Sequence, residues 1–381
     1  MPNNSSYIVA QQISSKIESI FALHINEALL QGESNLAIKP SKFVVETIID
    51  VAFWTSLRKE EGHSPKISLA YVYPNQLSNT LYFKKPLPLT SDALTKLASG
   101  VERSGVHIGI CENDNGELCA WGTTMSLPNY CLVVDVPEPG LLVVKHRRIS
   151  GLGKFTNVAI LKGDQVKIIN NDYSTNPDNP DVILALLDKL PEAKWSDEAN
   201  IMIQLAISMR RHNRGGALLI VDHEIDNWRD SVVNPINYEI DPPYGRLANL
   251  IFQDKKNASE IFWQTALKRE VDYIAGLTAV DGATIISKQF DLLAFGAKLT
   301  RAKNKSHVGK IYFSEPVEHN ELREVYSGVV GGTRHLSAAQ FIHDNIDAIA
   351  LVASQDGHFT IYSWSEKLNR VHAHRIDTLL V

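Results

Sequence analysis

One segment, Asn170–Pro180, divides this chain of 381 residues. Its eleven residues include four Asn, two Asp and two Pro, and they show no apolar period. Asn, Asp and Pro stabilise turns and interrupt helices and strands, so this composition favours a linker over packed structure. At about 150 residues per domain, two domains are expected. We therefore predict an N-terminal domain at 1–172, a linker with a short helix at 173–196 and a C-terminal domain at 197–381.

The composition is that of a folded globular protein, with 44% hydrophobic and 21% charged residues. The net charge of −5 gives no basic surface of the kind that nucleic acids attract, so direct DNA binding is not expected. The three cysteines are too few for a disulfide framework. We find neither a run of about 18 apolar residues nor the charge and apolar pattern of a signal peptide. These features predict a cytoplasmic protein without a membrane segment.

The N-terminal domain is expected to be α+β with a mostly antiparallel sheet. Apolar residues recur at three- and four-residue steps from Ile8 to Ile25, which predicts a helix. A second helix is expected over Ser41–Lys59, with Ser41 as its N-cap. Short apolar or alternating runs follow up to about residue 169, separated by Gly, Pro, Asn and Asp, and such spacing indicates strands joined by turns.

The C-terminal domain is expected to be an α/β layer around a buried sheet. A short helix is predicted after the linker, capped by Asp181, and a longer one from about Asp197. The latter leads through glycine into the continuous apolar run Gly215–Val221, which is typical of a buried strand. Further apolar runs predict strands and helices through Trp364.

Searches for general catalytic motifs find none in this chain. Gly151–Lys154 is followed by Phe155, and position 148 is Arg where a phosphate-binding P-loop requires Gly. Neither HExxH nor GxSxG occurs. His372 and His374 alternate on a predicted strand and form a weak candidate metal pair. We expect them instead to be two surface residues on one face of an edge strand.

A short acidic motif, Asp281-Gly282-Ala283, stands at the entrance of a predicted buried strand. A carboxylate at such a point can orient a ribose hydroxyl or hold a divalent ion beside a closely approaching ligand. An ordinary Asp-Gly turn has the same sequence, and taken alone the motif favours that turn.

A glycine-rich segment, Ser327–Ala339, precedes a helix predicted to begin at Ser337 or just before. Glycines let backbone N–H groups face an anion, and a helix start adds the positive end of its dipole. The hydroxyl of Thr333, the guanidinium of Arg334 and the ring of His335 suit a polyphosphate. A tight glycine turn with a solvated Arg explains the segment equally well.

Together and in this order, these segments resemble the diadenylate cyclase (DAC) domain, the catalytic module of the DNA-integrity-scanning cyclases and their relatives. The similar region runs from about Ile203 to Trp364. It contains the segment RRHNRGGALLIV, the DGA motif at Asp281–Ala283, GTRH at Gly332–His335, and the strand AIALVASQD that ends at Asp356.

The resemblance implies a C-terminal mixed, twisted sheet flanked by helices, so the whole chain is expected to be α/β (α+β) in class. It also implies a homo-oligomer in which two DAC domains face each other, each with one ATP, and form cyclic di-AMP and two pyrophosphates with Mn²⁺, Mg²⁺ or Co²⁺. Asp281, Arg334 and His335 would be catalytic, and Asp281 and Asp356 would lie at the metal. The residues implied to contact the nucleotide are Gly282, Ala283, Gly332, Thr333, Arg334 and His335.

Two departures from the DAC pattern leave a second interpretation open. Leu336 stands where the family usually has a second Arg, and Gln355-Asp356 replaces the usual Glu-Glu. Lys298 and Arg301 are candidates to supply the lost positive charge. The alternative to a cyclase is therefore a catalytically impaired DAC-like protein that binds ATP or a cyclic dinucleotide and signals through its oligomeric state.

The N-terminal domain is expected to be a sensor that regulates the catalytic one. Its position before a DAC-like domain resembles that of sensor domains in the family. The ligand, a small molecule or a protein, is not specified by the sequence. Trp121, Tyr130 and His146 could line a pocket, although packing is the favoured role for each.

Overall fold

The protein is described by a computed structural model that divides into two compact units, Met1–Ile169 and Asn170–Leu380. The described residues are 5–77, 80–148, 155–170, 173, 178–187, 197–222, 224, 226–252 and 261–381. Both units are mixed sheets accompanied by helices, which confirms the predicted α+β class with two domains. No helix among these residues combines the length and apolar character that crossing a membrane requires.

The first unit contains three helices among its described residues: α1 (Ile8–Leu30), α2 (Lys42–Ser56) and α3 (Ser91–Val101). Its strands are β1 (Ile67–Tyr71), β2 (Thr80–Pro88), β3 (His107–Glu112), β4 (Leu118–Thr124), β5 (Leu132–Glu138), β6 (Leu141–Arg147), β7 (Phe155–Lys162) and β8 (Gln165–Ile168). The spatial order is β2-β4-β3-β1-β5-β6-β7-β8. All neighbours pair antiparallel except β1 and β3, so the mostly antiparallel sheet is confirmed.

Helix α2 begins where the sequence predicts. The Ser41 hydroxyl accepts a hydrogen bond from the backbone N–H of Val44 (3.3 Å), which satisfies one of the unpaired N–H groups of the first turn. Helix α3 was not predicted: it lies between strands rather than before them, and Thr90 caps it in the same way. This helix returns the chain so that β3 can run parallel to β1.

Of the three aromatic residues considered for an N-terminal pocket, Trp121 and His146 are buried and Tyr130 is half-buried. Trp121 is 4% exposed, and its indole Nε1–H donates to the carbonyl of Val72 at 2.8 Å. His146 is 2% exposed, with its ring centroid 4.9 Å from that of Tyr130. Packing, the favoured role for Trp121 and His146, is what the structure shows.

The second unit contains α4 (Asp181–Leu186), α5 (Asp197–Arg211), α6 (Arg246–Phe252), α7 (Ile261–Leu277) and α8 (Thr333–Asp344). Its strands are β9 (Gly216–Val221), β10 (Tyr238–Tyr244), β11 (Ala283–Ser287), β12 (Leu292–Ala297), β13 (Lys310–Ser314), β14 (Arg323–Tyr326), β15 (Ile349–Ala353), β16 (Phe359–Ser365) and β17 (Arg370–Arg375). The order is β10-β12-β11-β9-β15-β16-β17-β13-β14. Strand β9 is parallel to β11 and antiparallel to β15, so the sheet is mixed.

The prediction that His372 and His374 lie on the surface of an edge strand was wrong. Strand β17 is flanked by β16 and β13, and the two side chains are 1% and 0% exposed. Hydroxyl groups make their burial possible: Ser314 Oγ lies 2.6 Å from Nε2 of His372, and the Tyr173 hydroxyl lies 2.8 Å from Nδ1 of His374. Each ring therefore has a polar partner inside the unit.

Asp181 was expected to cap α4. The helix instead begins at Asp181, and Pro180 occupies the N-cap position. Proline before the first turn fits here because its missing N–H is not needed for a helical hydrogen bond.

Candidate functional site

Four chain segments from the DAC-like region meet at one end of the second sheet. Strands β9 and β11 begin there side by side, since Ala217 pairs with Ala283 in a parallel register. Strand β15 ends at the same level, since Ala353 pairs with Gly216. The fourth segment, the start of α8, reaches this sheet end through the side chain of Arg334. The topology thus gathers motifs that are far apart in sequence.

The contact that joins these segments is between Arg334 and Gly215. A Cβ atom on Gly215 would lie 3.0 Å from Nη1 of Arg334, 3.3 Å from the carbonyl oxygen of Ala353 and 3.3 Å from Cγ of Gln355. Gly215 also has a φ of +70°, which disfavours any other residue. The guanidinium is therefore held over the bare backbone of Gly215, beside the end of β15.

Helix α8 begins at Thr333, whereas the predicted start was Ser337 or just before. Gly332 is the N-cap, and its carbonyl accepts hydrogen bonds from the N–H groups of His335 (3.0 Å) and Leu336 (3.2 Å). No side chain caps this end. Gly332 and Thr333 are exposed, so the positive end of the helix dipole faces solvent. The glycine-rich segment thus runs straight into a helix start that can accept an anion.

His335 turns inward from the same helix turn. Its side chain is 4% exposed and its ring packs on Gly331, where a Cβ atom would lie 2.5 Å from Nδ1. Burial, with smaller contributions from Arg375, His358 and Arg334, lowers the pKa of His335 to about 4. The ring is therefore neutral near pH 7, and its buried Nε2 has no hydrogen-bond partner among the residues that the structure describes.

The DGA motif divides into one exposed and two structural positions. Asp281 is exposed immediately before β11. Gly282 has a φ of +108°, and a Cβ atom there would lie 2.5 Å from the carbonyl carbon of Gly296. Ala283 is 1% exposed and pairs with Ala297 of β12. The close packing of β11 on β12 is thus a sufficient reason for the small residues after Asp281.

Asp356 lies in the turn between β15 and β16 and is exposed, with its N–H donating to Oγ of Ser354 at 3.2 Å. Strand β9 lies between β15, which precedes Asp356, and β11, which follows Asp281, so these two strands are about 10 Å apart. Within the described residues no group of three or more His, Cys, Asp or Glu side chains is arranged to hold a metal. One or two exposed carboxylates suffice for Mg²⁺ when nucleotide phosphates supply further oxygens, so this donor set fits a metal–nucleotide complex.

Of the two cations considered as replacements for a second Arg, Lys298 is the better placed. It is exposed and directly follows Ala297, which pairs with Ala283, so it lies at the same sheet end as Asp281. Arg301 lies three residues further on and donates to the carbonyl of Lys305 at 2.9 Å. Leu336 is 42% exposed in the first turn of α8, which is unusual for an apolar side chain beside charged groups.

Two residues near this site were not predicted. Nη2 of Arg375 donates to the carbonyl of Val330 at 2.7 Å and so ties β17 to the glycine-rich segment. The ring of Tyr362 lies edge-on to that of His335, with centroids 6.2 Å apart. Only the pairing of distant strands brings them here, and no local sequence pattern carries that information.

Comparison with known families gives a match in the first unit. Residues 34–125 match the family model described as "Probable sensor domain DACNV". This domain is the N-terminal sensor of DAC proteins. The match covers about a quarter of the chain, from before α2 to the end of β4. The search of curated proteins found no match. The chain thus carries a sensor domain associated with DAC proteins.

Proposed function

We propose that this protein is a diadenylate cyclase whose N-terminal sensor domain regulates it. The observation that carries the proposal is the convergence of Gly215, Asp281, Arg334 and Asp356 at one end of a mixed sheet, next to the open start of α8. The sensor match supports it independently, because this domain occurs at the N-terminus of DAC proteins.

The proposed reaction joins two ATP molecules into cyclic di-AMP. Each ribose 3′-oxygen attacks the α-phosphorus of the other ATP, its proton leaves, and the bond from that phosphorus to the pyrophosphate oxygen breaks. Two pyrophosphates are released, and no oxidant or reductant is needed. Such a displacement depends mainly on positioning and charge stabilisation.

The side chains present suit these requirements. The carboxylate of Asp281 would orient the 3′-hydroxyl, and the start of α8 with Arg334 would bind the phosphates. A divalent ion, when bound by Asp281 and Asp356 together with phosphate oxygens, would neutralise developing charge. His335 is buried and neutral, so we assign it the positioning of the α8 start rather than phosphate binding.

In the DAC family each of two facing domains contributes one ATP, so the proposal requires a homo-oligomer. The direct test is to incubate the full chain with ATP and Mn²⁺ or Mg²⁺ and to identify products by mass spectrometry. We expect cyclic di-AMP and pyrophosphate, and a loss of at least about 100-fold in rate for Asp281→Asn.

A matched control for that variant is Asp347→Asn. Asp347 is also exposed, but it precedes β15 and so lies at the opposite end of the sheet. It should keep full activity. If Asp281→Asn is as active as Asp347→Asn, the assignment of the site is wrong.

The exposed Leu336 favours one alternative, a DAC-like protein that binds nucleotide without turning it over. Loss of a charge-assisted hydrogen bond to phosphate can cost about 1.5–3 kcal/mol. This alternative predicts ATP or cyclic di-AMP binding by calorimetry, weakened in Arg334→Ala, with no product formed. Unchanged affinity in Arg334→Ala would count against both functions.

A further inference from the structure

A cavity of about 670 Å³ opens in the first unit, at the end of the sheet where β1 and β3 begin. Ile67 and Leu69 of β1 belong to the core that includes α1 and α2, so Ser68 between them points to the opposite face of the sheet. The volume lies within the range of about 300–1,000 Å³ that is typical of small-molecule sites.

A row of hydrogen-bonded polar side chains crosses three neighbouring strands in the wall of this cavity. Oγ of Ser68 donates to Oδ1 of Asp135 at 2.6 Å and lies 2.6 Å from Nδ1 of His107. The hydroxyl has one proton, which Asp135 accepts, so Nδ1 of His107 is the donor to Ser68. A nucleophilic serine needs a histidine that accepts the hydroxyl proton, whereas His107 donates its hydrogen bond to Ser68. The row is therefore arranged for binding and not for nucleophilic attack.

The charged side chains that line the cavity comprise two ion pairs and one further cation. Asp135 accepts a hydrogen bond from Lys145, and Glu102 lies 3.8 Å from Lys66. Arg103 also lines the cavity, is exposed, and has no ion-pair partner within the part of the chain that the structure describes. The lining therefore carries one net positive charge on a planar guanidinium, which is the group best suited to a carboxylate.

The remaining lining is largely apolar. Val106, Pro137 and Phe155 line the cavity and are half-buried, so they contribute hydrocarbon surface. Nζ of Lys145 lies 4.3 Å from the centroid of the Phe155 ring. This cation–π contact holds the ring in place, while the Lys145 ammonium stays paired with Asp135. Apolar walls with a few fixed polar groups are the usual composition of a site for a small organic ligand.

We infer that this cavity binds a small organic acid with one carboxylate and an apolar body. The carboxylate pairs with Arg103, the apolar body lies against Val106, Pro137 and Phe155, and the Ser68 row fixes the polar edge. The cavity includes parts of the matched sensor segment, since Ser68 and His107 fall within residues 34–125. It lies wholly in the first unit, so the inference stands apart from the proposed cyclase activity.

The test is calorimetric titration of the full chain with benzoate, phenylacetate and hexanoate, each compared with its neutral amide. We expect at least one acid to bind with a Kd of about 1 mM or lower, and its amide to bind at least about tenfold more weakly. The inference is wrong if no acid binds below about 10 mM, or if acid and amide bind equally.

Two variants locate the binding. Arg103→Gln should weaken the binding of the acid by at least about tenfold and leave the affinity for the amide unchanged. Lys96→Gln removes an exposed cation of α3 that does not line the cavity, and it should change neither. Equal loss in both variants would indicate general electrostatics instead of this site. Acid binding without cyclic di-AMP formation would reject only the cyclase proposal. Cyclic di-AMP formation without acid binding would reject only this site.

Discussion

Nη1 of Arg334 lies 3.0 Å from the point that a Cβ atom on Gly215 would occupy. Arg334 is in the first turn of α8, and Gly215 directly precedes β9, more than a hundred residues earlier in the chain. The contact links Gly215, just before the first strand of the second sheet, to Arg334, the cation proposed to bind phosphate. Substitutions at either partner should therefore affect nucleotide binding.

Gly215→Ala should weaken ATP binding by at least about threefold, because the new methyl group would displace the guanidinium of Arg334. The alanine would also be strained at the φ of +70° that Gly215 adopts, which should lower the free energy of unfolding by about 1 kcal/mol. Gly116→Ala is the control, since its φ is +75° and no atom of the described residues, apart from its chain neighbours, lies within 4 Å of the added Cβ. Calorimetry and urea unfolding should show a stability loss in both variants, but an affinity loss only in Gly215→Ala.

Gly282→Ala should reduce the stability of the protein more than its affinity for the nucleotide. A methyl group there would lie 2.5 Å from backbone of β12 at a φ of +108°, so we expect a loss of about 2–4 kcal/mol in the free energy of unfolding. Gly276→Ala, in α7 with no atom within 4 Å, should be neutral or stabilising. A fully stable Gly282→Ala would show that β11 and β12 can separate more easily than their packing indicates.

Leu336→Arg should strengthen ATP binding by about tenfold, because an exposed guanidinium would join Arg334 at the start of α8. Ile346→Arg is the matched control: Ile346 is 46% exposed and lies at the other end of the sheet. Equal affinities in the two variants would mean that position 336 does not face the nucleotide. If the parent protein forms no cyclic di-AMP and Leu336→Arg does, the impaired DAC-like function is supported.

Stability should fall as the pH is lowered from about 6.5 to about 4. Burial lowers the pKa of His335 and of His372 to about 4, and burial also lowers the pKa of His374 well below its ordinary value. The unfolded chain, with ordinary histidine pKa values, binds more protons in this window, and each histidine contributes up to about 1.4 kcal/mol per pH unit. Urea unfolding at pH 7 and pH 5 measures the loss.

His372→Gln should reduce this pH dependence, whatever it does to stability at pH 7. His307→Gln, which changes an exposed histidine, should leave the slope as it is. An unchanged slope in His372→Gln would mean that the ring is protonated without unfolding.

Local patterns predicted the elements whose signals are carried by their own side chains. Ser41 caps α2 as predicted, because a Ser hydroxyl before an apolar helix is a direct sequence signal. The start of α8 was predicted only loosely, at Ser337 or just before, because Gly332 caps it with its backbone alone and leaves no such signal. Helix α3 carries the same kind of signal, a Thr90 cap before residues buried at helical spacing, and the prediction missed it.

Long-range pairing accounts for the remaining differences. His372 is buried because β17 pairs with β13, and its partner Ser314 lies 58 residues earlier. The convergence of Asp281, Arg334 and Asp356 likewise depends on β9 lying between β11 and β15. Their residue types suggested chemistry, but only the strand order places them at one end of a sheet.

The position of β17 between β16 and β13 sets the order in which this protein can be completed during synthesis. The sheet of Met1–Ile169 uses strands that have all been synthesised by residue 168. The β13–β14 hairpin, in contrast, must wait for residues 370–375 before its inner edge is paired. During that interval β13 and β16 present open edges that can pair with other chains. A nascent chain stalled before Arg370 would therefore hold a finished sensor domain and an aggregation-prone second sheet.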